Sequence, residues 1–311
     1  MLDQLTKISL AKEKFINERK KLLESSVSSL QRKLYQRLFD KMIDALETEE
    51  GKILNSEKNL ANVSAIDKIF KDFERDLAMV MKMVATDYAS IIKQNQQYYS
   101  QFNIALFNSV KVNVEDAMRA RAGFTSKGFE KDGFIDSFIK DKTVARTVKQ
   151  TVLSNVINGT PIKELTKALR ITIEGETGGS GVLQNHFKTY VYDSYSKFDR
   201  ETGNQFAVQL DLNYAIYAGG LVERSRPFCI ERNGKVFNRT EIKRFGTSKD
   251  TYGGYTNKSK GEFAGKWSKA QNRVYVPETD CGCNNCGHGW NWITYELAKR
   301  MRSDIPKYKA P

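Results

Sequence analysis

The chain has 311 residues, 40% of them hydrophobic and 28% charged, with 14 Tyr, 17 Phe and 3 Trp. That is enough chain for one large domain or two modest ones, and too many aromatics for a disordered one. The 50 basic and 37 acidic residues leave a net charge of +13, of which +7 falls in residues 201–311; the excess favours an acidic partner or nucleic acid, although no dense Lys/Arg run or named nucleic-acid motif sharpens it.

No apolar run approaches the ~20 residues of a membrane span, the best stretch, Leu77–Ala85, being broken by Lys82. The opening Met1-Leu2-Asp3-Gln4-Leu5-Thr6-Lys7 lacks the charged-then-apolar layout of a signal peptide, so folding in a cytoplasm is expected, with no membrane partner. All five prolines lie at or after Pro161 and the first glycine is Gly51, which permits long helices at the front. Val27, Leu30, Leu34, Leu38, Met42 and Leu46 form one helical stripe. A second runs through Ile66, Ile69, Phe73, Leu77, Val80, Val84, Tyr88, Ile91 and Ile92. The two stripes predict an antiparallel helical hairpin that turns near Glu50-Gly51 or Asn55-Ser56.

Residues 121–134, with three glycines, read as a connector. Helix returns over Thr143–Ile157 and stops at Asn158-Gly159-Thr160-Pro161, with Thr160 the expected N-cap and Pro161 the first position of a helix reaching about Leu169. Gly175–Gly181 is a flexible loop; no Gly-Lys-Ser/Thr closes it, so it is no phosphate-binding loop. His186 begins a helix through Phe187, Tyr190, Val191 and Phe198, on which Asp193, Asp199 and Glu201 read as a solvated acidic edge. Gln209–Ala218 alternates like a strand. Asn233-Gly234 marks a tight turn before the strand Lys235–Phe237. A long loop is expected over 246–266, then a strand Arg273–Val276 and a short helix after Thr294.

The four cysteines, Cys229, Cys281, Cys283 and Cys286, all lie in the last third, and one of only two histidines, His288, follows Cys286 by two places. Zinc takes thiolate and imidazole tetrahedrally, and glycine-containing turns let neighbouring ligands wrap one ion. Five candidates compete for four positions, so one cysteine is spare. The role expected is structural: the zinc-deaminase pattern is half present in Cys283-Asn-Asn-Cys286, but His186 is followed by Phe187-Lys188 and the essential Glu is missing. No paired carboxylates, nucleophile–base set or phosphate loop emerges, so no enzymatic activity is expected. The stretch Arg224-Ser225-Arg226 fits either phosphate contacts or a salt bridge at a strand end.

Ordered pieces over about residues 143–300 resemble the phage minor head proteins, the Mu F-like head-morphogenesis family. They are the helix–Asn-Gly-Thr-Pro–helix of Ser154–Leu169, the helix Thr189–Gly203, and Tyr217–Cys229 ending in Arg-Pro-Phe-Cys. After these come Gly234-Lys235-Val236-Phe237, the helix start Thr240-Glu241-Ile242, and the closing segment from Asp280-Cys281-Gly282 to Cys286-Gly287-His288. Gly287 stands where the family usually has Arg, and Cys283 is additional. The resemblance implies Cys229, Cys281, Cys286 and His288 as ligands of a structural zinc, with Cys283 spare. It also implies a virion protein at the portal vertex or in the head interior, present in several copies, contacting the portal protein or other capsid components and packaged DNA. The fold expected is α+β: a long N-terminal helical region over 1–122, a connector over 123–142, and a domain over 143–311 of helices on a small β-sheet with a zinc knot.

Overall fold

The computed structural model describes residues 2–102, 107–108, 124–125, 128–129, 142–175, 182–223, 225–246, 275–282 and 286–308. In chain order the elements are α1 (Leu2–Leu38), β1 (Thr48–Glu49), β2 (Lys52–Ile53), α2 (Glu57–Asn62), α3 (Ala65–Tyr99), β3 (Phe124–Thr125) and β4 (Gly128–Phe129). They continue with α4 (Thr143–Ile157), α5 (Ile162–Glu174), α6 (Val182–Gln209), β5 (Tyr214–Ala218), α7 (Pro227–Arg232) and β6 (Val236–Asn238). The last are α8 (Arg239–Arg244), α9 (Pro277–Asp280), β7 (Gly289–Ile293) and α10 (Tyr295–Met301). The described chain is mostly helical, with one small antiparallel sheet in the order β6-β5-β7 and two two-stranded ladders. Among the described residues no helix is long and apolar enough to cross a membrane.

Two compact units divide the chain: Met1–Glu18 with Asp87–Ala122 and Tyr192–Pro311, and Arg19–Thr86 with Gly123–Val191. Each unit draws on non-contiguous chain, and α1, α3 and α6 each contribute to both.

In the second unit the first stripe is buried as its spacing requires, with Leu34, Leu38 and Met42 fully covered; so are Ile66, Ile69 and Phe73 of the second. Arg37 on α1 meets Asp76 on α3 at 2.8 Å. Helix α1 ends in a π turn over Phe39–Ile43, closed by the Asp44 N–H donating to Phe39 O at 3.0 Å. The turn at Glu50-Gly51 is a β-hairpin, both residues having positive φ (48° and 78°), the pattern of a tight two-residue connection. Ser56 caps α2, accepting from the Asn59 N–H. Asn59 is wholly buried: its side-chain amide donates to Glu47 O and Leu54 O and accepts from the Glu47 N–H, locking the hairpin's base.

Helix α4 has the predicted bounds and buries Val144, Val148, Val152 and Val156. The next helix departs from expectation. Thr160 is not its N-cap; Pro161 is, with an extended backbone, and the helix runs on to Glu174. The cause is tertiary: Ile53 N–H donates to Thr160 O and Ile162 N–H to Gly51 O, so Thr160–Ile162 serve as an added strand on β2. The segment expected as a connector carries the β3–β4 ladder.

In the first unit, α6 outlasts its prediction and takes the start of the predicted strand. It ends at Gln209, with Asp211 at φ 54° and Leu212 N–H returning to Ala207 O at 2.8 Å, a left-handed helix stop. Leu210 and Leu212 are buried by that stop and only Tyr214–Ala218 is strand. β5 pairs with β6 over Tyr214–Ile216 and with β7 over Tyr214–Ala218. Residues paired across a ladder share a face, so Ala215, Tyr217, Phe237, Trp290 and Trp292 form one buried layer. Asn238 and Glu241 form a reciprocal capping box at the start of α8, and Thr294 caps α10. The strand predicted over Arg273–Val276 is not formed at its described end: Val276 is the N-cap of α9. The predicted loop at 246–266 and Cys283 lie outside the described residues, as does the side chain of His186.

Asp199 is no solvated edge. It lies 3.1 Å from the buried Lys12 ammonium, and the Asn95 amide, itself wholly buried, donates to it at 2.9 Å.

Replacing Asn59 with Ala orphans Leu54 O and the Glu47 N–H at the hairpin's base and leaves Glu47 O with the Leu54 N–H alone. It is expected to cost roughly 2–4 kcal/mol, read as a lowered urea midpoint by circular dichroism. Asn62→Ala, which removes one exposed bond to Ala45 O, is the control and should cost under about 1 kcal/mol.

Candidate metal centre

The C-terminal end of β5 sets the site. Tyr217 pairs with Trp290 and Ala218 with Gly289, and the next residues out, Gly219 and His288, lie so close that a Cβ on Gly219 would stand 2.7 Å from His288 Cα. Pro227 starts α7 at a position where its missing N–H costs nothing and α7 carries Cys229 inward. Helix α9 leads into the turn Cys281-Gly282, where Cys281 adopts φ 49° and ψ −124°, a backbone normally left to glycine and costing about 1–3 kcal/mol elsewhere. Gly282 has no room for a side chain: a Cβ would meet Cys229 Sγ at 2.6 Å and Cys286 Sγ at 2.9 Å.

Among the described residues, Cys229, Cys286 and His288 form a group whose donor atoms all lie within 4.8 Å of one another, and all three are buried. The two sulfurs are 3.7 Å apart. The Tyr217 hydroxyl contacts both, at 3.4 Å from Cys229 and 3.6 Å from Cys286, while its ring stacks on His288 with centroids 5.1 Å apart. Gly282 N–H donates to Cys286 Sγ at 3.3 Å. Backbone anchors hold the loops: Arg226 donates to Gly282 O at 2.9 Å, Tyr275 to Cys281 O at 2.6 Å, and Arg200 to both Thr279 O and Cys286 O.

The electrostatics divide the pair of thiols. A hydrogen bond from Cys229, joined by His288, the Arg200 charge and Tyr217, holds Cys286 well below the usual thiol range against the opposing effect of burial. The same bond to Cys286, with burial, pushes Cys229 up; burial raises Tyr217 as well. The surroundings thus favour the thiolate form at Cys286, the form that binds metals. Among the described residues, the buried His288 Nε2 has no hydrogen-bond partner. A buried acceptor or donor left unpaired costs ~1–3 kcal/mol, and a metal ligand is one group that would satisfy it. Two sulfurs, an orphaned imidazole nitrogen and burial fit a metal ion, and the cluster could hold one.

Of the residues named from the sequence, Cys229, Cys286 and His288 are brought together. Cys281 is fully buried in the same core and lies outside the mutually close set. Arg226 of the Arg-Ser-Arg stretch supports the turn at Gly282; Arg224 lies outside the described residues. Sequence reading missed Tyr217, Arg200 and the tight glycines. Gly219 was legible only as a strand end, and nothing in the local pattern announces that Tyr217 faces two thiols. Comparison with protein-family models, curated proteins and solved structures gives no match for this chain.

Tyr217→Phe keeps the stacked ring and removes the hydroxyl from both sulfurs. By analogy with other groups that orient metal ligands, it is expected to weaken metal affinity about 10–100-fold, measured by competition with a chromophoric chelator. Gly282→Ala should abolish stoichiometric metal binding outright; metal retained at wild-type affinity would place the donors elsewhere.

Proposed function

We propose that this chain is a non-enzymatic structural protein of a phage head, associated with the portal or the head interior and assisting capsid assembly and DNA packaging or delivery. On this reading a zinc ion ties its C-terminal portion together. The observation that carries the zinc is the donor set itself: two thiols and an imidazole, between 3% and 4% exposed, joining Cys229 to Cys286, 57 positions further on, and to His288 beyond it. At a Zn–S distance of about 2.3 Å, tetrahedral geometry puts two sulfurs about 3.8 Å apart; the two here are 3.7 Å apart.

Burial also favours a structural role, since a catalytic zinc keeps a position open to water and substrate. A metal closing a long loop adds its binding energy to folding. When bound, zinc would supply a charge centre that fixes the two loops; Cys229, Cys286 and His288 would hold it, with Cys281 the one further thiol among the described residues. The head-protein assignment rests on the resemblance of the ordered C-terminal pieces, whose Cys229 and Cys286-x-His288 are the same residues that the cluster unites.

A second reading, a zinc-stabilised protein that binds packaged DNA, draws on the net charge of +13. Its weight is reduced by Arg232 and Arg239, both buried among aromatic rings. A steep fall of DNA affinity with salt would favour it.

Chelating the metal, or substituting Cys229→Ser, is expected to lower the melting temperature and release about one equivalent of zinc, by thermal scan and elemental analysis. Unchanged metal content in the variant removes Cys229 from the site. Co-expression with the portal protein of the same genome, at two salt concentrations, tests the head assignment. Stable capture supports it; no capture together with salt-sensitive DNA binding favours the second reading. Because both units draw on chain from each side of residue 122, the docking surface should be mapped by surface substitutions rather than by truncation.

A further inference from the structure

In the second unit an open cavity of about 590 Å³ lies between the C-terminal end of α1 and helix α5. Its floor is apolar: Phe39 and Ile43 from the π turn, Leu46 beyond it, and Ile162 from the start of α5. Along one wall stand Lys163, Lys167 and Arg170, all exposed. Their spacing on α5 puts them on one face over a rise of about 10 Å, two turns of a helix. Among the described residues Asp44 is the only acid lining the cavity. Arg170 has a partner, Glu174 at 3.1 Å, whereas among the described residues the Lys163 and Lys167 side chains have no ion pair or hydrogen bond.

The shape of the floor follows from the π turn. Asp44 N–H reaches back to Phe39 O, a five-residue step, which widens the helix where Phe39 and Ile43 line the cavity. Such turns recur at functional sites. Unit 2 thus presents an apolar trough with three exposed cations along one edge, and the half-covered Phe39 is left in its floor.

We propose that this groove docks an acidic amphipathic helix of a partner protein. Apolar side chains at i, i+3 or i+4 and i+7 of the incoming helix would sit over Phe39 and Ile162, the usual anchor pattern for a helix in a groove. Its flanking carboxylates would meet Lys163, Lys167 and Arg170. Charge complementarity selects the acidic peptide over a basic one, and the partly exposed Phe39 and Ile162 select it over a nucleic acid, whose phosphates would gain nothing from them. The groove stands by its own geometry, independent of the head-protein assignment and of the metal.

The test uses the full chain and two displayed pools of helical peptides about four turns long. Both carry Leu, Ile, Phe or Met at random on one face; one has Glu on the flanks, the other Lys. Enrichment of the Glu pool alone is expected, with individual clones binding at least 10-fold more weakly to Lys163→Glu/Lys167→Glu, while circular dichroism of that variant is unchanged. Phe39→Ala should weaken the same clones by a similar factor. Failure of the Glu pool to enrich, equal enrichment of the Lys pool, or clones indifferent to the double reversal would overturn the proposal. So would displacement of the peptides by an equimolar DNA duplex, which would make the cations a polyanion site.

Discussion

Strand β5 is bonded along both edges, to β6 over Tyr214–Ile216 and to β7 over Tyr214–Ala218, and the donor cluster is built on the end of that double ladder. The pairing with β7 brings His288 against Gly219. The pairing with β6 returns the chain just after α7, so that Cys229 lies beneath the same strand: Gly234 N–H donates to Tyr217 O at 2.8 Å. Tyr217 is the point where both constraints meet, its ring on His288 and its hydroxyl between the two sulfurs. Remove the ladder and the three donors belong to segments with no other reason to converge.

Several charged and polar side chains buried around this layer are held by specific partners. Arg239 lies 3.8 Å from the Trp292 ring while its guanidinium donates to Asn204, Asn213 and Leu212 O. Arg232, wholly buried, lies over both the Phe228 and Phe245 rings and donates to Phe228 O. Lys12, Asn95, Asp199 and Thr202 form one network among the helices of the same unit. A buried charge is costly unless paired or stacked, and these arrangements meet that condition. They also mean that the basic excess of the last third is partly interior, so net charge overstates what its surface offers a polyanion.

The second unit solves a different problem with local means. Its helices bury regular stripes, and the loops that join them are stitched together by the buried Asn59 amide and by the strand-like Thr160–Ile162 segment on β2. That stitching holds the N-terminus of α5 beside the π turn, the two elements that wall the cationic groove.

What the sequence determined by itself was periodic or chemically scarce. The 3.6-residue stripes located α1, α3 and α4, because burial of one face imposes that spacing whatever the partner is. The turn near Glu50-Gly51 or Asn55-Ser56 and the short helix after Thr294 were readable, since they answer to backbone needs within a few residues. Four cysteines and His288 stood out because so few residue types bind soft metals. Other features were decided only by tertiary structure: the extended Pro161, the early end of the strand at Tyr214, the Trp-Asn-Trp strand β7, and the pairing of Asp199 with Lys12. The choice of Cys229, Cys286 and His288 as the donors that converge was decided there too. Each depends on a distant segment supplying a hydrogen bond, a charge or an approach too close for a Cβ, as at Gly219 and Gly282, and such constraints leave no period or local pattern in the chain.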